Sequence, residues 1–332
     1  MANVRCTVED VARAAGVSLM TVSRAMNGKP GLGAATRRRV LETAARLGYR
    51  PSRVARALAS RKTSAIGIIL PDMANPYFAI LAKGASDIAR TADKSLFIMN
   101  TDEDPDLEFS ALASLHSDGI AGIILAGSRL PKARLLDAIS PFAAAVLINR
   151  DCPGSRAGNV GIDYKKGASD AIVWLASSGR KRIALLAGPR IATSARQRLA
   201  GYRDGLDRSG LVFEPLLVEG CIPNFDGGMA ATRALLGRSP RIDAILAYND
   251  LAAIGAMRAV RSCGRSVPSD IAVMGTDDIP IAELVAPSLS TLHADISLLG
   301  ATAMTMLLAL EENREIPDYP PQIPYLVIRE ST

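Results

Sequence analysis

The chain has 332 residues, 48% hydrophobic and 22% charged, with a formal net charge of +6, which leaves room for two or more domains and excludes a mainly disordered chain. Residues 1–62 carry thirteen Lys or Arg against Glu9, Asp10 and Glu42, a local charge of +10 on a body of −4, so a polyanion partner belongs to the head alone. There is no recognisable cleavable leader, no run long enough for a membrane span and no C-x-x-C pair among Cys6, Cys152, Cys221 and Cys263, so a cytoplasmic protein is expected, with reduced thiols and no metal, cofactor or membrane.

In the head, TVEDVARAAGVS opens at Thr7 with a hydroxyl that can cap a helix, and Asp10 three positions on makes a weaker variant of the capping box. Val8, Val11, Ala12 and Ala15 recur at helical spacing, Gly16 supplies a tight turn, and Ser18 opens a second short helix running through Asn27. Two short helices about a Gly turn make a helix-turn-helix. On a 3.6-residue wheel Val22, Ala25 and Met26 form a packing side, with Met20, Ser23, Arg24 and Asn27 opposite and Leu19 at the edge. Thr21 and Ser23 suit phosphates and Arg24 can fork onto guanine; Leu19 and Met20 either touch thymine methyls or pack on the first helix. A third helix is predicted over 34–47, with Ala35, Val40, Leu41, Ala44 and Leu47 as its apolar stripe, Arg37, Arg38 and Arg39 toward solvent, and Gly48 as the stop.

PSRVARALASRK, residues 51–62, has Pro at a helix start, Val54, Ala55 and Leu58 on one side, and no acid to offset its cations. It has little to bury alone, so it is expected to order on a polyanion; an inert linker is the alternative.

Beyond Thr63 short apolar runs alternate with amphipathic stretches: AIGIILP at 65–71, SLFIMN at 95–100, GIIL at 122–125 and AAVLIN at 144–149, then RIALLAG at 182–188, LLVEG at 216–220, AILAY at 244–248 and IAVMG at 271–275. This is an α/β body of two parallel, buried sheets, hence two lobes, with the cleft at the strand ends as the default pocket. An enzyme is not expected. The chain has no G-x-x-x-x-G-K-[ST], G-x-S-x-G or H-E-x-x-H, and His116 and His293 have no obvious partner.

The chain resembles the LacI/GalR (lactose-repressor) family of bacterial transcription regulators. The likeness lies in TVEDVARAAGVSLMTVSRAMNG followed by LGYRPSRVARAL, and through the body in LPDMANPYF, GIDYKKGA, RIALLAGP, SARQRLAGY, AYNDLAAIGAMRAV, MGTDDIP and LSTLHADI. The resemblance implies a three-helix helix-turn-helix domain at 1–50, a hinge helix at 51–62 and an effector-binding and dimerisation domain at 63–332. That domain would have the fold of sugar-binding periplasmic proteins, with an N-terminal lobe of about 63–161 and 293–320 and a C-terminal lobe of about 162–292 and 321–332.

On this resemblance Leu19, Met20 and Arg24 select the operator sequence, Thr7, Ser18, Thr21, Ser23 and Asn27 complete the DNA face of the head, and Ser52, Arg53 and Ala55 that of the hinge. Leu58 would be the wedge driven into the minor groove; Ser52 stands where the family usually has Asn. In the body Arg198, Asn249 and Asp277 would hydrogen-bond the effector and Tyr77 and Phe78 wall it. Ser128, Asn149 (often Asp in the family) and Arg196 complete the set, although Arg196 equally suits an ion pair. An Arg–Asn–Asp set at strand ends fits a polyol or an acidic sugar. Asp250 and Asp278 read as helix caps, and Asp102, Glu103 and Asp104 as a solvated loop. The implied partners are pseudo-palindromic double-stranded operator DNA, a sugar or sugar-acid effector and a second copy of the chain, because one head reads one half-site. A repressor is expected, and without a leucine-heptad tail after LVIREST, a dimer and not a tetramer.

Overall fold

The computed structural model describes residues 6–26, 30–49, 65–238 and 241–332, in two compact units divided after Ser64. Asn27, Ser52, Arg53, Ala55 and Leu58, with the whole expected hinge at 51–62, lie outside the described residues.

In the head, α1 (Val8–Ala15), α2 (Leu19–Met26) and α3 (Ala34–Arg46) enclose Val11, Ala12, Ala15, Val22, Ala25, Val40 and Ala44. Thr7 caps α1 through a full capping box: Asp10 N donates to Thr7 Oγ1 at 3.3 Å, and Thr7 N donates back to Asp10 Oδ2 at 2.9 Å. Gly16 ends α1 at φ +61, where a Cβ would be strained. The predicted stripe of α3 needs correction. Val40 and Ala44 are buried, but Ala35, Leu41 and Leu47 are exposed, and the buried face turns instead through half-buried Thr36 and Arg37 to Thr43. Positions 36, 40, 43 and 44 keep the i, i+4, i+7, i+8 spacing that 35, 41 and 47 break. Thr7→Ala should cost the head about 1 kcal/mol; native-state hydrogen exchange at the α1 amides checks it, and unchanged protection would show that the cap contributes nothing.

The body begins with β1 (Ala65–Leu70), α4 (Pro76–Thr91), β2 (Ser95–Asn100), α5 (Pro105–Ser117), β3 (Gly122–Ala126), α6 (Lys132–Ile139), β4 (Ala144–Ile148) and β5 (Gly158–Val160). These strands form a parallel sheet in the order β2-β1-β3-β4-β5. A second lobe follows with α7 (Tyr164–Ser177), β6 (Ile183–Ala187), α8 (Thr193–Arg208), β7 (Val218–Gly220), α9 (Phe225–Arg238), β8 (Ala244–Ala247), α10 (Asp250–Ser262), β9 (Ala272–Met274) and the short α11 (Ile281–Leu284). Its parallel sheet has the order β7-β6-β8-β9. Two cores flank each sheet, which is why β3 and β4 are apolar and buried at every position. β2 departs from the expected burial: as an edge strand it leaves Phe97 and Ile98 exposed.

The chain returns through β10 (Thr291–His293), α12 (Ile296–Glu311) and β11 (Tyr325–Val327), with β10 and β11 antiparallel. α12 packs on the first sheet beside α4. The two helices approach so closely that a Cβ on Gly84 would stand 2.0 Å from the Ser297 carbonyl oxygen, and one on Gly300 2.0 Å from that of Leu81. Three segments thus run between the lobes, and Gln322 ties them together. Its N–H donates to Gly161 O at 2.9 Å, its carbonyl accepts from Asp163 N at 2.9 Å, and its side chain exchanges bonds with the Asp295 backbone at 2.9 and 3.1 Å.

Candidate functional site

In the head, α2 buries Val22 and Ala25 and turns Ser23 and Arg24 outward, with Leu19 48% and Met20 65% exposed. Leu19 and Met20 are both exposed and lie outside the buried core of the head. Ser18 opens the helix: its Oγ accepts from Thr21 N at 3.2 Å and lies 2.9 Å from Thr21 Oγ1. The face combines three hydroxyl side chains, a guanidinium and two apolar tips, chemistry of the kind that can contact base edges and phosphates.

In the body, the carboxyl ends of the two sheets converge on one cavity between the lobes, lined by residues that include Tyr77, Phe78, Asn149, Tyr164, Ser194, Arg198, Tyr248, Asn249 and Asp277. Six of the eight expected effector residues come together there. Ser128 and Arg196 do not. Ser128 is buried beside the cavity, where its Oγ accepts from Leu130 N at 3.2 Å. Arg196 lies on the outer face of α8, bonded to Ile191 O at 2.9 Å and Thr193 Oγ1 at 3.0 Å.

The two asparagines are already committed. Asn149, at φ +56 just past β4, accepts from Ile162 N at 2.9 Å and donates to the Tyr77 and Tyr164 hydroxyls at 3.1 and 3.3 Å, joining the lobes. Asn249 caps α10 through Ala252 N and donates to Pro223 O, both at 2.9 Å. Arg198 and Asp277 are different. The Arg198 guanidinium, 5% exposed, lies between the rings of Tyr164 and Tyr248, 3.6 and 4.4 Å from their centres. Among the described residues its Nε and Nη1 have no acceptor, and Nη2 stands 3.7 Å from Asp277 Oδ1, an ion pair longer than a hydrogen bond. Burial pushes the Asp277 carboxyl up to about 7 although Arg198 opposes the shift. Its backbone at φ +110 is held by the bond from Asp277 N to Leu292 O, a strained conformation of the kind kept at binding sites.

Several other charged side chains near the cavity are engaged within the fold. Arg129 forks onto Glu103 at 2.5 and 2.9 Å and also donates to Gly127 O, so Glu103 is not the solvated loop residue expected. Asp250 and Asp278 cap no helix. Asp250 accepts from Thr291 Oγ1 at 2.6 Å and Ile279 N at 2.9 Å, while Asp278 pairs with His293 Nδ1 and Arg329 Nη2, each at 2.8 Å. Burial raises the Tyr77 hydroxyl and pushes that of Tyr164 up to about 12, so both stay neutral donors. Sequence reasoning passed over Tyr164, Ser194 and Tyr248. Tyr248 was within reach, since it ends the AILAY run directly before Asn249. Among the described residues no group of three His, Cys, Asp or Glu is placed to hold a metal ion, and no helix is long and apolar enough to cross a membrane.

Residues 7–52 match the family described as bacterial regulatory proteins, lacI family, and residues 174–332 match the periplasmic binding protein-like domain. Catabolite control protein A of Streptococcus mutans is 37% identical over 94% of this chain and 93% of its own length. The regulator GalR of Escherichia coli is 34% identical over 94% and 91%, and the ribose operon repressor of Halalkalibacterium halodurans 34% over 98% and 97%. Among solved structures, the lac repressor dimer bound to operator and the anti-inducer ONPF superposes with a TM-score of 0.88 at 28% identity, covering 98% of this chain and 99% of that one. The complex of the transcriptional regulator CelR with cellobiose gives 0.74 at 29%, covering 99% and 100%. With a helix-turn-helix head, a two-lobed α/β body and likeness along nearly its whole length to these regulators, the chain belongs to the LacI family of DNA-binding transcription regulators.

Proposed function

We propose that the chain is a cytoplasmic, homodimeric repressor that binds a pseudo-palindromic operator, and that its hold on DNA is set by a sugar or sugar acid between the lobes. The observation that carries the effector reading is the Arg198–Asp277 pair: two buried charges 3.7 Å apart, with guanidinium donors that have no acceptor. Such groups cost free energy unless a ligand meets them, and hydroxyl or carboxylate oxygens do so. Two heads are needed because each reads one half-site, and the angle between the lobes would reach the heads through 51–62.

The test begins by selecting operator fragments from random duplexes with the full chain, then measures gel shifts with and without a panel of hexoses, pentoses, disaccharides and sugar acids. A shift in operator affinity with one of them supports the reading, and indifference to all sinks it. Arg24→Ala should weaken the selected operator by about 1–3 kcal/mol and relax base choice at one position per half-site, as a lost bidentate base contact does. An equal loss on all sequences would reassign Arg24 to phosphate. Affinity should also fall steeply with salt; the lac repressor, the reference case for such a slope, belongs to this family, and a flat response would contradict the +10 head.

A further inference from the structure

The space left between the side chains of the cleft is about 40 Å³, room for a few waters and far below the several hundred Å³ of a typical ligand pocket. Taking the cleft as the effector site, as proposed above, a side chain must leave or the lobes must part before a sugar ring enters. Tyr77 and Tyr164 are poorly placed to do so, because Asn149 bonds both hydroxyls and these lie 3.4 Å apart across the lobes. Tyr248 is held differently. Among the described residues its hydroxyl has one hydrogen-bond partner, Ser194 Oγ at 2.8 Å. Its ring rests among small groups, packing with Ala192, Ala195 and Cys221 and over Gly188, where a Cβ would come within 2.4 Å of the ring.

We propose that Tyr248 stands in for the ligand: its ring covers the face of Arg198 where a ring-shaped ligand docks, Ser194 is its latch, and its displacement sets the size of sugar the cleft accepts. A pyranose in its place stacks on the face of Arg198 as the ring does, and its oxygens lie within reach of the Asp277 carboxyl and the freed Ser194 hydroxyl. The resident ring shields that guanidinium while the site is empty, which is why Arg198 can stay buried with so few hydrogen bonds.

The experiment titrates the full chain calorimetrically with D-glucose, D-galactose, D-ribose, D-gluconate, cellobiose, maltose and lactose, in wild type, Tyr248→Phe, Tyr248→Ala and Asp277→Ala. Tyr248→Phe keeps the ring and loses the latch, so it should bind the preferred monosaccharide about three- to tenfold tighter with the order of sugars unchanged. Tyr248→Ala, provided its melting curve stays cooperative, should move preference toward the disaccharides by about tenfold or more. The proposal falls if wild type and both Tyr248 variants rank the sugars alike with similar Kd, if none of them binds any sugar, or if Tyr248→Ala loses binding that Tyr248→Phe retains, for then the ring is a platform and not an occupant. If Tyr248→Ala does not fold, the Tyr248→Phe titration decides alone. Asp277→Ala separates the two readings. Binding that survives it overturns the cleft as the effector site, whereas binding lost there with Tyr248 variants like wild type overturns the role of Tyr248 alone.

Discussion

Asp277→Ala and Arg198→Ala should each abolish the effector response while the head still binds operator. Both groups are buried and each is the other's nearest opposite charge at 3.7 Å. Removing one leaves the other uncompensated and forfeits about 1.5–3 kcal/mol per hydrogen bond to the ligand, a ten- to hundredfold loss of affinity or more. A variant that keeps the wild-type titration curve would make its residue structural. The pH response follows from the Asp277 carboxyl, which burial holds at about 7, well above the ordinary carboxylate range. An ionised carboxylate accepts from ligand hydroxyls at both oxygens, so affinity for a neutral sugar should climb from pH 6 to pH 8, and Asp277→Asn should flatten the climb. Stability runs the other way. Because the native state keeps this proton longer than the unfolded chain, the contribution of Asp277 is fully present below the unfolded value and is lost as pH rises through about 7. Chemical denaturation at pH 5 and pH 8 measures that difference, and Asp277→Asn should shrink it.

Gly300→Ala should be among the most destabilising small substitutions in the body. Its Cβ would meet the Leu81 carbonyl at 2.0 Å, backbone against backbone, so α4 and α12 must part. Overpacking of this kind costs about 1–3 kcal/mol, and two rigid helices give little relief, which places this site at the upper end. Gly237→Ala is the control. Nothing lies within 4 Å of the Cβ it would add near the end of α9, so the same change should stabilise by about 0.5–1 kcal/mol through helix propensity alone. Urea midpoints moving in opposite directions with equal slopes would establish the close approach. Midpoints moving together would refute it.

The long apolar runs announced β1 to β4 and β6 to β9 because a parallel strand covered on both faces needs no alternation. β5, β10 and β11 passed unread: GNV and TLH hold no continuous apolar run, and β11 is decided by its long-range pairing with β10. The stripe of α3 failed for a related reason, since Leu41 and Leu47 are apolar and still lie on its exposed side. At the cleft the family resemblance named Asn149, Asn249 and Asp277 and their strand-end positions agreed with it, but neither showed that both amides are spent on the fold. Nor does a linear sequence show Tyr164 and Tyr248 stacked on Arg198, because those contacts join three separate elements.

The knot of bonds at Gln322 has a mechanical consequence. A movement that slid one lobe along the other would draw the three crossings apart and break the four bonds around that residue in turn. A movement that bends all three together keeps every one. The body is thus a lever with a fixed fulcrum. Its first strand begins at Ala65 and points its other end at the cavity, where Asp72 and Asn75 stand, so about 20 Å of strand separates the two. A rotation about those crossings would therefore displace Ala65 sideways by more than it displaces the end of the strand beside the cavity.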